Sequence, residues 1–476
     1  MFKLSRYLSP TLVYLCFITV VNASETMPIE DYESNVLIRI HGSNTVGARL
    51  VPSWAKDYLA ALGMDNIQQR ELDTKNEYAV EGNFKGQNYA IHIAAHGSST
   101  GFKSLMSQQA DIAMSSRQIK DKEVKALENV GDMRSFSSEN VVAIDGLAVI
   151  IHPSNNVNTL SIKQIAELFS GNITNWAQLG GPNQEVSLYA RDKNSGTWDT
   201  FKSLVLKKTG LKLSSEARRF ESNDELSDLV AMDTGGIGFV GLASVRNAKA
   251  LAVSDSGSAA LTPAHLQVAT EDYPLSRRLY LYFPEKPLNP RARDFIEFTQ
   301  QQNSQLRVDD IGFVSLNPLI SMDKEQQGPQ VYRDLAELGD RLSINFRFDS
   351  GSAKLDNRAK RDIQRLVEFI QKPENKDKSI QLVGFGDMKQ TQERAVLLSK
   401  LRANTIKSAL HKKGVSSLAV AGFGAVKPVA SQEAQGRTKN QRVEVWLLDK
   451  SNLEAAAELK KNTNHIELSD SRIAYF

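Results

Sequence analysis

RDKNSGTWDTF (Arg191 to Phe201) reads as a turn that opens a helix: Asn194-Ser195-Gly196-Thr197 is followed by apolar residues at helical spacing, Trp198, Phe201 and then Val205. Two earlier stretches have the same form. Gly42-Ser43-Asn44-Thr45 runs on through Val46, Leu50 and Trp54, and Gly97-Ser98-Ser99-Thr100-Gly101 runs on through Phe102, Leu105 and Met106. Ser, Thr and Asn are ordinary N-cap residues, so any one of these turns is accounted for as a plain helix cap. A helix start also offers free backbone N–H groups, small hydroxyls and the positive end of the helix dipole, which suits an oxyanion. Arg191, four residues before Ser195, could grip two oxygens of a tetrahedral anion in fork geometry. Three such starts and this arginine predict an anion cage built without metal.

Around these turns, Val36 to about Leu316 alternates short apolar runs with helical segments, the pattern of an α/β domain with mainly parallel sheet. Expected strands include Val36 to Ile40, Tyr89 to Ala94, Ala148 to His152, Val186 to Tyr189, Gly238 to Val240 and Leu279 to Phe283; helices include Ile162 to Phe169 and Arg291 to Gln302. Asp145-Gly146 reads as a turn or a lobe crossing. So many units suggest two lobes. Asn317 to about Gly339 is polar, holds Pro318, Gly328 and Pro329, and reads as a linker with room for a short helix near Val331 to Leu338. Beyond it the pattern becomes compact α+β: Ile344, Phe346 and Phe348 alternate, Ala359 to Ile370 repeats with helical period, Ile380 and Leu382 open a strand, Glu393 to Leu410 is a long helix and Val443 to Leu447 a closing strand. The expected boundaries are a two-lobed domain over 36–316, a linker over 317–341, a small domain over 342–448 and a charged tail over 449–476.

At 476 residues the chain exceeds one hydrophobic core, and its 41% apolar content supports ordinary globular folding. A net charge of +3, from 58 basic and 55 acidic residues, gives no broad basic face, and no nucleic-acid motif is present. Residues 1–23 read as an export signal: Lys3 and Arg6, then an apolar run from Thr11 to Val21, then Val21-Asn22-Ala23 as cleavage site. The only cysteine, Cys16, lies inside it, so the mature chain would carry no thiol or disulfide, which is compatible with an oxidising compartment.

With these residues in hand, about 280 residues resemble the PstS-like periplasmic phosphate-binding proteins of ABC transporters. The strings are HGSNTVG (from His41), GSSTGFKSL (from Gly97), ADIAMSSR (from Ala110), AIDGLAVIIHPSN (from Ala143), LFSGNITNWAQLGG (from Leu168), RDKNSGTWDTF (from Arg191) and GGIGFVG (from Gly235). The resemblance implies a two-lobed, type II-like periplasmic binding protein fold that closes on its anion like a hinge. Carried over by position, it implies donation from the Thr45 and Val46 N–H groups and from hydroxyls of the Ser43-Thr45 turn, Ser98 and Ser195. Arg191 would supply charge and the Gly196 and Thr197 N–H groups would complete the cage. Ser116, followed by Arg117, stands where some members carry an acidic residue that accepts the proton of hydrogen phosphate and so rejects sulfate.

In the C-terminal region, Ala395, Leu398, Arg402, Ile406 and Leu410 share a helical face, with an arginine inside an apolar stripe. It calls for a carboxylate partner or a rim position. Asp387, ending the strand that opens at Ile380, is the expected partner. The strings FDSGSAKLD (from Phe348), VGFGD (from Val383), LSKLRA (from Leu398), GFGAVKPVA (from Gly422) and GRTKNQRVEV (from Gly436) resemble the OmpA-like peptidoglycan-binding domain. That resemblance implies that Asp387 and Arg402 clamp the ammonium and carboxylate of diaminopimelate in the stem peptide. Phe385-Gly386 and Ala395 depart from the family's usual His-Thr and Asn.

The combined expectation is a non-enzymatic periplasmic receptor for phosphate or a similar oxyanion, tethered non-covalently to peptidoglycan at the outer-membrane side, with an ABC permease as a further partner and no cofactor. The alternatives are a wall-bound structural or adhesive protein with a vestigial anion site, and a phosphate-ester hydrolase using Ser195 as nucleophile. His92 and His96 are four apart in strand and loop, where that spacing does not aim both rings at one metal, and no metal site is expected. Trp54, Trp176 and Trp198 read as core.

Overall fold

The computed structural model describes residues 35–256, 258–321, 328–348, 352–387, 391–432 and 434–452. The expected export signal with Cys16, and all but the first four residues of the charged tail, lie outside the described residues.

The first lobe grows from the strand Val36–Gly42, which runs parallel to Gln87–Ala94 on one side and Ile112–Ser115 on the other. Asp65–Glu71 and Glu77–Phe84 extend the sheet as an antiparallel meander. Leu37, Ile38 and Ile40 are fully buried, and Trp54 joins them from the helix Leu50–Ala61, its indole N–H donating to Ser304 O at 2.8 Å. In the second lobe Ser187–Arg191 lies between Arg218–Phe220 and Gly236–Gly241, all parallel. Phe201 and Phe239 stack at 4.0 Å in its core, and Trp176 and Trp198 are buried there.

One strand joins the lobes. Glu139–Ile151 has all 13 residues buried; its first part pairs antiparallel with Ser276–Tyr282, and Leu147 to Ile151 pair antiparallel with Gly236–Gly241. The sheet is therefore mixed, which corrects the expectation of a mainly parallel one. An uninterrupted apolar run marks any strand covered on both faces, so periodicity does not distinguish direction. Asp145-Gly146 is the lobe crossing and not a turn, lying within this continuous strand at the change of partners.

The C-terminal sheet has the order Gly339–Arg347, Arg442–Asp449, Lys378–Gly384, Ala421–Gly422. Alternation along the second of these sends Val443, Val445 and Leu447 to one core, with Ile363, Leu366, Ile406 and Leu410 from the helices Asn357–Ile370 and Gln392–His411. Trp446 and Leu448 point to the opposite face. There they meet Tyr332 and Leu335 of the helix Gln330–Leu338. This helix falls in the stretch expected to be a linker, and its buried face completes the second side of the small sheet.

The two parts of the chain meet through charge. Glu271 and Asp272, beside the strand Ser276–Tyr282, face arginines of the C-terminal region: Arg341 at 2.7 Å and Arg347 at 2.7 Å from Asp272, and Arg358 at 3.2 Å from Glu271. Arg278 holds Glu271 at 2.7 Å and reaches Asp356 at 2.5 Å. Burial alone would raise both carboxyls, but the arginines outweigh it and hold Glu271 and Asp272 well below the usual carboxylate range. Their contribution to stability is complete above the unfolded-state carboxylate value near pH 4 and is lost as pH falls towards the lower native values. Asp272→Ala, which leaves buried guanidinium groups uncompensated, is expected to cost about 3–5 kcal/mol in urea unfolding at neutral pH, and to flatten the acid limb of a stability–pH profile.

Candidate functional site

Three loops converge between the lobes. Ser195 is an N-cap for the helix Gly196–Phe201: its hydroxyl accepts from Thr197 N at 3.1 Å and Trp198 N at 3.4 Å. Ser98 begins the helix Ser98–Met106 after Gly97, whose φ of 128° suits glycine. The first turn forms only the four-residue helix Asn44–Gly47, and the chain restarts at Leu50, so the helix expected to run from Val46 to Trp54 is broken. Thr45 and Val46 nevertheless lie in a first turn, where N–H groups have no intrahelical acceptor.

The loops touch. The Thr45 and Thr197 hydroxyls are 3.0 Å apart across the lobes, and the Ser98 and Ser116 hydroxyls 3.5 Å apart, with Ser116 N donating to Ser98 Oγ at 3.0 Å. A Cβ on Gly196 would fall 2.2 Å from Ser98 Oγ and 2.4 Å from Ser116 Oγ. Ser43, Thr45, Val46, Ser98, Ser116, Arg191, Ser195, Gly196 and Thr197 are all buried. Ser43 does not cap its helix, and its buried hydroxyl has no hydrogen-bond partner among the described residues.

Arg191 stands at the second-lobe wall, 1% exposed. Its Nε donates to Phe220 O at 3.2 Å, one Nη to Glu221 O, and the other approaches Thr197 Oγ1 at 3.5 Å. The nearest carboxylate, Asp192, is 3.9 Å away. Burial pushes the guanidinium down to about 10, more than Asp192 offsets. A cation fixed by carbonyls, without a close carboxylate, is poised for an external anion. One expected donor is committed elsewhere: Thr197 N–H serves the cap, whereas the Ser195 hydroxyl is the cap's acceptor and keeps its O–H to donate. Arg117 also faces away, pairing with Glu123 at 2.7 Å and Asp199 at 2.8 Å.

Other residues at this junction were not read from sequence. Arg277 is buried against Asp145 at 2.6 Å and lies 3.5 Å from Thr45 Oγ1; Asn223 donates to Thr45 Oγ1 at 3.4 Å and accepts from Gly241 N. Arg277, at the polar head of a strand that continues as Leu279-Tyr280-Leu281-Tyr282, gave a weak signal shared with Arg278; Asn223, the first residue of a polar helix, gave none. His96 bridges the lobes, 2.9 Å from Glu77 and 3.2 Å from Glu221. The hydrolase alternative lacks geometry, since Ser195 Oγ is a cap acceptor with no histidine or carboxylate hydrogen-bonded to it among the described residues.

In the C-terminal domain Asp387 and Arg402 are both buried but meet through a third residue. Gln441 donates to Asp387 Oδ1 at 3.0 Å and accepts from Arg402 at 2.6 Å; Arg437 lies 3.5 Å from Asp387. The buried helix face is Ala395, Ser399, Arg402, Ala403, Ile406 and Leu410, with Leu398 37% exposed, so the stripe is rotated from the expected one and Arg402 is interior, not at a rim. Burial lowers the Arg402 guanidinium, partly offset by Asp387.

Residues 73–303 match the model of a PBP superfamily domain, and residues 347–442 that of the OmpA family. Protein SphX of Synechococcus elongatus is 32% identical over 244 residues, 49% of this chain and 71% of that protein. The phosphate-binding protein PstS of Borreliella burgdorferi is 25% identical over 247 residues, 51% of this chain and 85% of that protein. The chain belongs to the PstS-like PBP family and carries an OmpA family domain. A solved ABC-type phosphate transport receptor from Vibrio cholerae is 24% identical, with a TM-score of 0.44 over 58% of this chain and 99% of that one. PstS-like proteins are substrate-binding proteins, not enzymes.

Two outcomes follow from the geometry of this PstS-like junction. Gly196→Ala is expected to hold the lobes apart, read as a larger radius of gyration in small-angle scattering. Burial would lower His96, but its hydrogen bonds to Glu77 and Glu221 outweigh this and raise it. A raised value means that the bridge is fully formed below the unfolded histidine value near 6.5 and lost as pH rises through the native one. Scattering across pH 5.5–8.5 is expected to report more open lobes at the alkaline end, with the trend absent in His96→Gln.

Proposed function

We propose that this chain binds a tetrahedral oxyanion, phosphate foremost, between its two lobes, and is held in the periplasm by its C-terminal domain gripping diaminopimelate in peptidoglycan. The observation that carries the first half is Arg191: a fully buried guanidinium, braced by the Phe220 and Glu221 carbonyls and facing the Ser43-Thr45, Ser98 and Gly196 turns. A dianion there receives charge-assisted donation from Arg191, donation from the Ser43, Thr45, Ser98 and Ser195 hydroxyls, and backbone N–H groups at Thr45, Val46 and Gly196. The names of relatives such as the PstS proteins support phosphate as the first anion to test. Ser116 donates or accepts, so it tolerates hydrogen phosphate without the repulsion a carboxylate would direct at sulfate.

The second half rests on Asp387 and Arg402, an acid and a base separated by one glutamine, complementary to a zwitterion once Gln441 yields its two bonds. In this reading 1–23 is removed on export, 36–316 receives the anion, 317–341 joins the parts, 342–448 attaches non-covalently to the wall, and an ABC permease takes the anion onward.

Calorimetry on extensively dialysed full-length chain is expected to give phosphate binding that Arg191→Ala weakens about 100-fold or more, equivalent to about 2.7 kcal/mol, with sedimentation on purified peptidoglycan unchanged. Asp387→Ala is expected to lose sedimentation and keep phosphate. A wild-type chain that binds neither phosphate, sulfate nor arsenate removes the receptor reading; equal loss of both functions in either variant marks misfolding by circular dichroism.

A further inference from the structure

Beside the cage the lobes enclose a second cleft of about 600 Å³. One wall follows Ser116 in the first lobe and carries Lys122; the other begins at the end of the helix Gly196–Phe201 and carries Lys202 and Lys207; Ser276 and Tyr280 of the lobe-joining sheet line it between them. The second wall has an unusual backbone. Lys202–Leu206 is one turn of π-helix, with Lys207 N donating to Lys202 O. In an α-helix residues five apart point about 140° away from each other, whereas the wider π turn stacks them. The π turn thus turns Lys202 and Lys207 towards the same cleft.

Charge in the cleft is one-sided. Its other basic residues are already matched: Arg117 and Lys120 with Asp199 at 2.8 and 2.5 Å, Arg277 with Asp145 at 2.6 Å, Arg278 with Glu271 at 2.7 Å. Asp199 and Glu271, the two acidic residues of the lining, are consumed in those pairs. Lys122, Lys202 and Lys207 have no carboxylate within 4.0 Å among the described residues. Ser276, 8% exposed, has a buried hydroxyl with no hydrogen-bond partner among the described residues. An unsatisfied buried hydroxyl is uncommon in a folded protein and calls for an external group. Leu204 and Tyr280 are the only apolar or aromatic side chains of the lining, and the rest of its carbon surface belongs to polar and charged side chains, so the cleft lacks the apolar walls a nucleoside or a lipid chain needs and suits a compact, highly charged ligand.

We propose that this cleft is a second anion site, separate from the cage, that takes a small polyanion with three or more negative charges, of the condensed-phosphate or tricarboxylate class. Lysines contribute as point charges, which suits a ligand whose charge is spread over several groups. Because Lys122 belongs to the first lobe and Lys202 and Lys207 to the second, the ligand ties the lobes together. Its binding is therefore coupled to closure, and by linkage to occupancy of the cage.

The test is calorimetry of the full chain with tripolyphosphate, citrate and orthophosphate, using wild type, the triple variant Lys122→Ala/Lys202→Ala/Lys207→Ala and Arg191→Ala. Tripolyphosphate or citrate is expected to bind wild type, tenfold or more weaker in the triple variant and within about threefold of wild type in Arg191→Ala, with affinity falling steeply as salt is raised. Whichever of the two behaves so names the class of polyanion. Orthophosphate is expected to bind the triple variant within about threefold of wild type, which also certifies its fold. The proposal is overturned if neither polyanion binds wild type, if the triple variant binds both undiminished, or if Arg191→Ala abolishes both, which would put them in the cage. Polyanion binding lost only in the triple variant, with no orthophosphate binding anywhere, supports this site while removing phosphate as the ligand of the cage.

Discussion

The Asp145–Arg277 ion pair sits where the two lobes become one sheet. Both side chains are buried, at 0% and 3% exposure, and 2.6 Å apart. Asp145 and Gly146 pair with Arg277 and Ser276, while the next residue, Leu147, pairs with Gly241 of the second lobe. Leu242 N donates to the other carboxylate oxygen at 2.8 Å, so a single carboxylate ties both partners of the crossing strand. Burial raises this carboxyl and Arg277 opposes the rise. Breaking either member would strand a charge in the buried interior. Since Arg277 also reaches Thr45 at 3.5 Å, the pair at the lobe crossing positions one residue of the candidate site.

Much of this was legible in the chain. The three small-residue turns, the arginine four residues before Ser195, and the helix and strand order of both parts follow from local periodicity and capping chemistry, which are properties of neighbouring residues. What escaped was non-local. Strand direction escaped because the segments Val141 to Ile144 and Leu147 to Ile151 of Glu139–Ile151 are apolar on both faces. Gln441 escaped because the connection it makes spans 54 residues to Asp387 and 39 to Arg402. The helix Gln330–Leu338 was visible as a short periodic segment inside a polar stretch, but its role as the cover of a sheet face required Trp446 and Phe385, far along the chain.

The lobe junction and the Asp387–Arg402 pair share a design. In each, a buried arginine is oriented by neutral groups: backbone carbonyls for Arg191, a side-chain amide for Arg402. Neutral acceptors orient a guanidinium without cancelling its charge, whereas carboxylates cancel it, as they do for Arg117 and Arg277. That contrast separates arginines available to a ligand from those that hold the fold.

The acid pair Glu271-Asp272 and its arginines carry a consequence for ancestry. Arg341, Arg347 and Arg358 lie in the smaller domain and each pairs with Glu271 or Asp272 of the larger one, although Arg341 also has Glu444 and Arg358 also has Asp362 within their own domain. Severed from each other, the small domain would leave Arg347 without either of its carboxylates and the larger one would leave Asp272 without Arg341 and Arg347, while Glu271 would keep Arg278. A recombination event that carried the small domain to a new host would have to find a matching acidic corner there. The seam therefore adds a condition to any exchange of the small domain: the acids must travel with it, or the arginines must change.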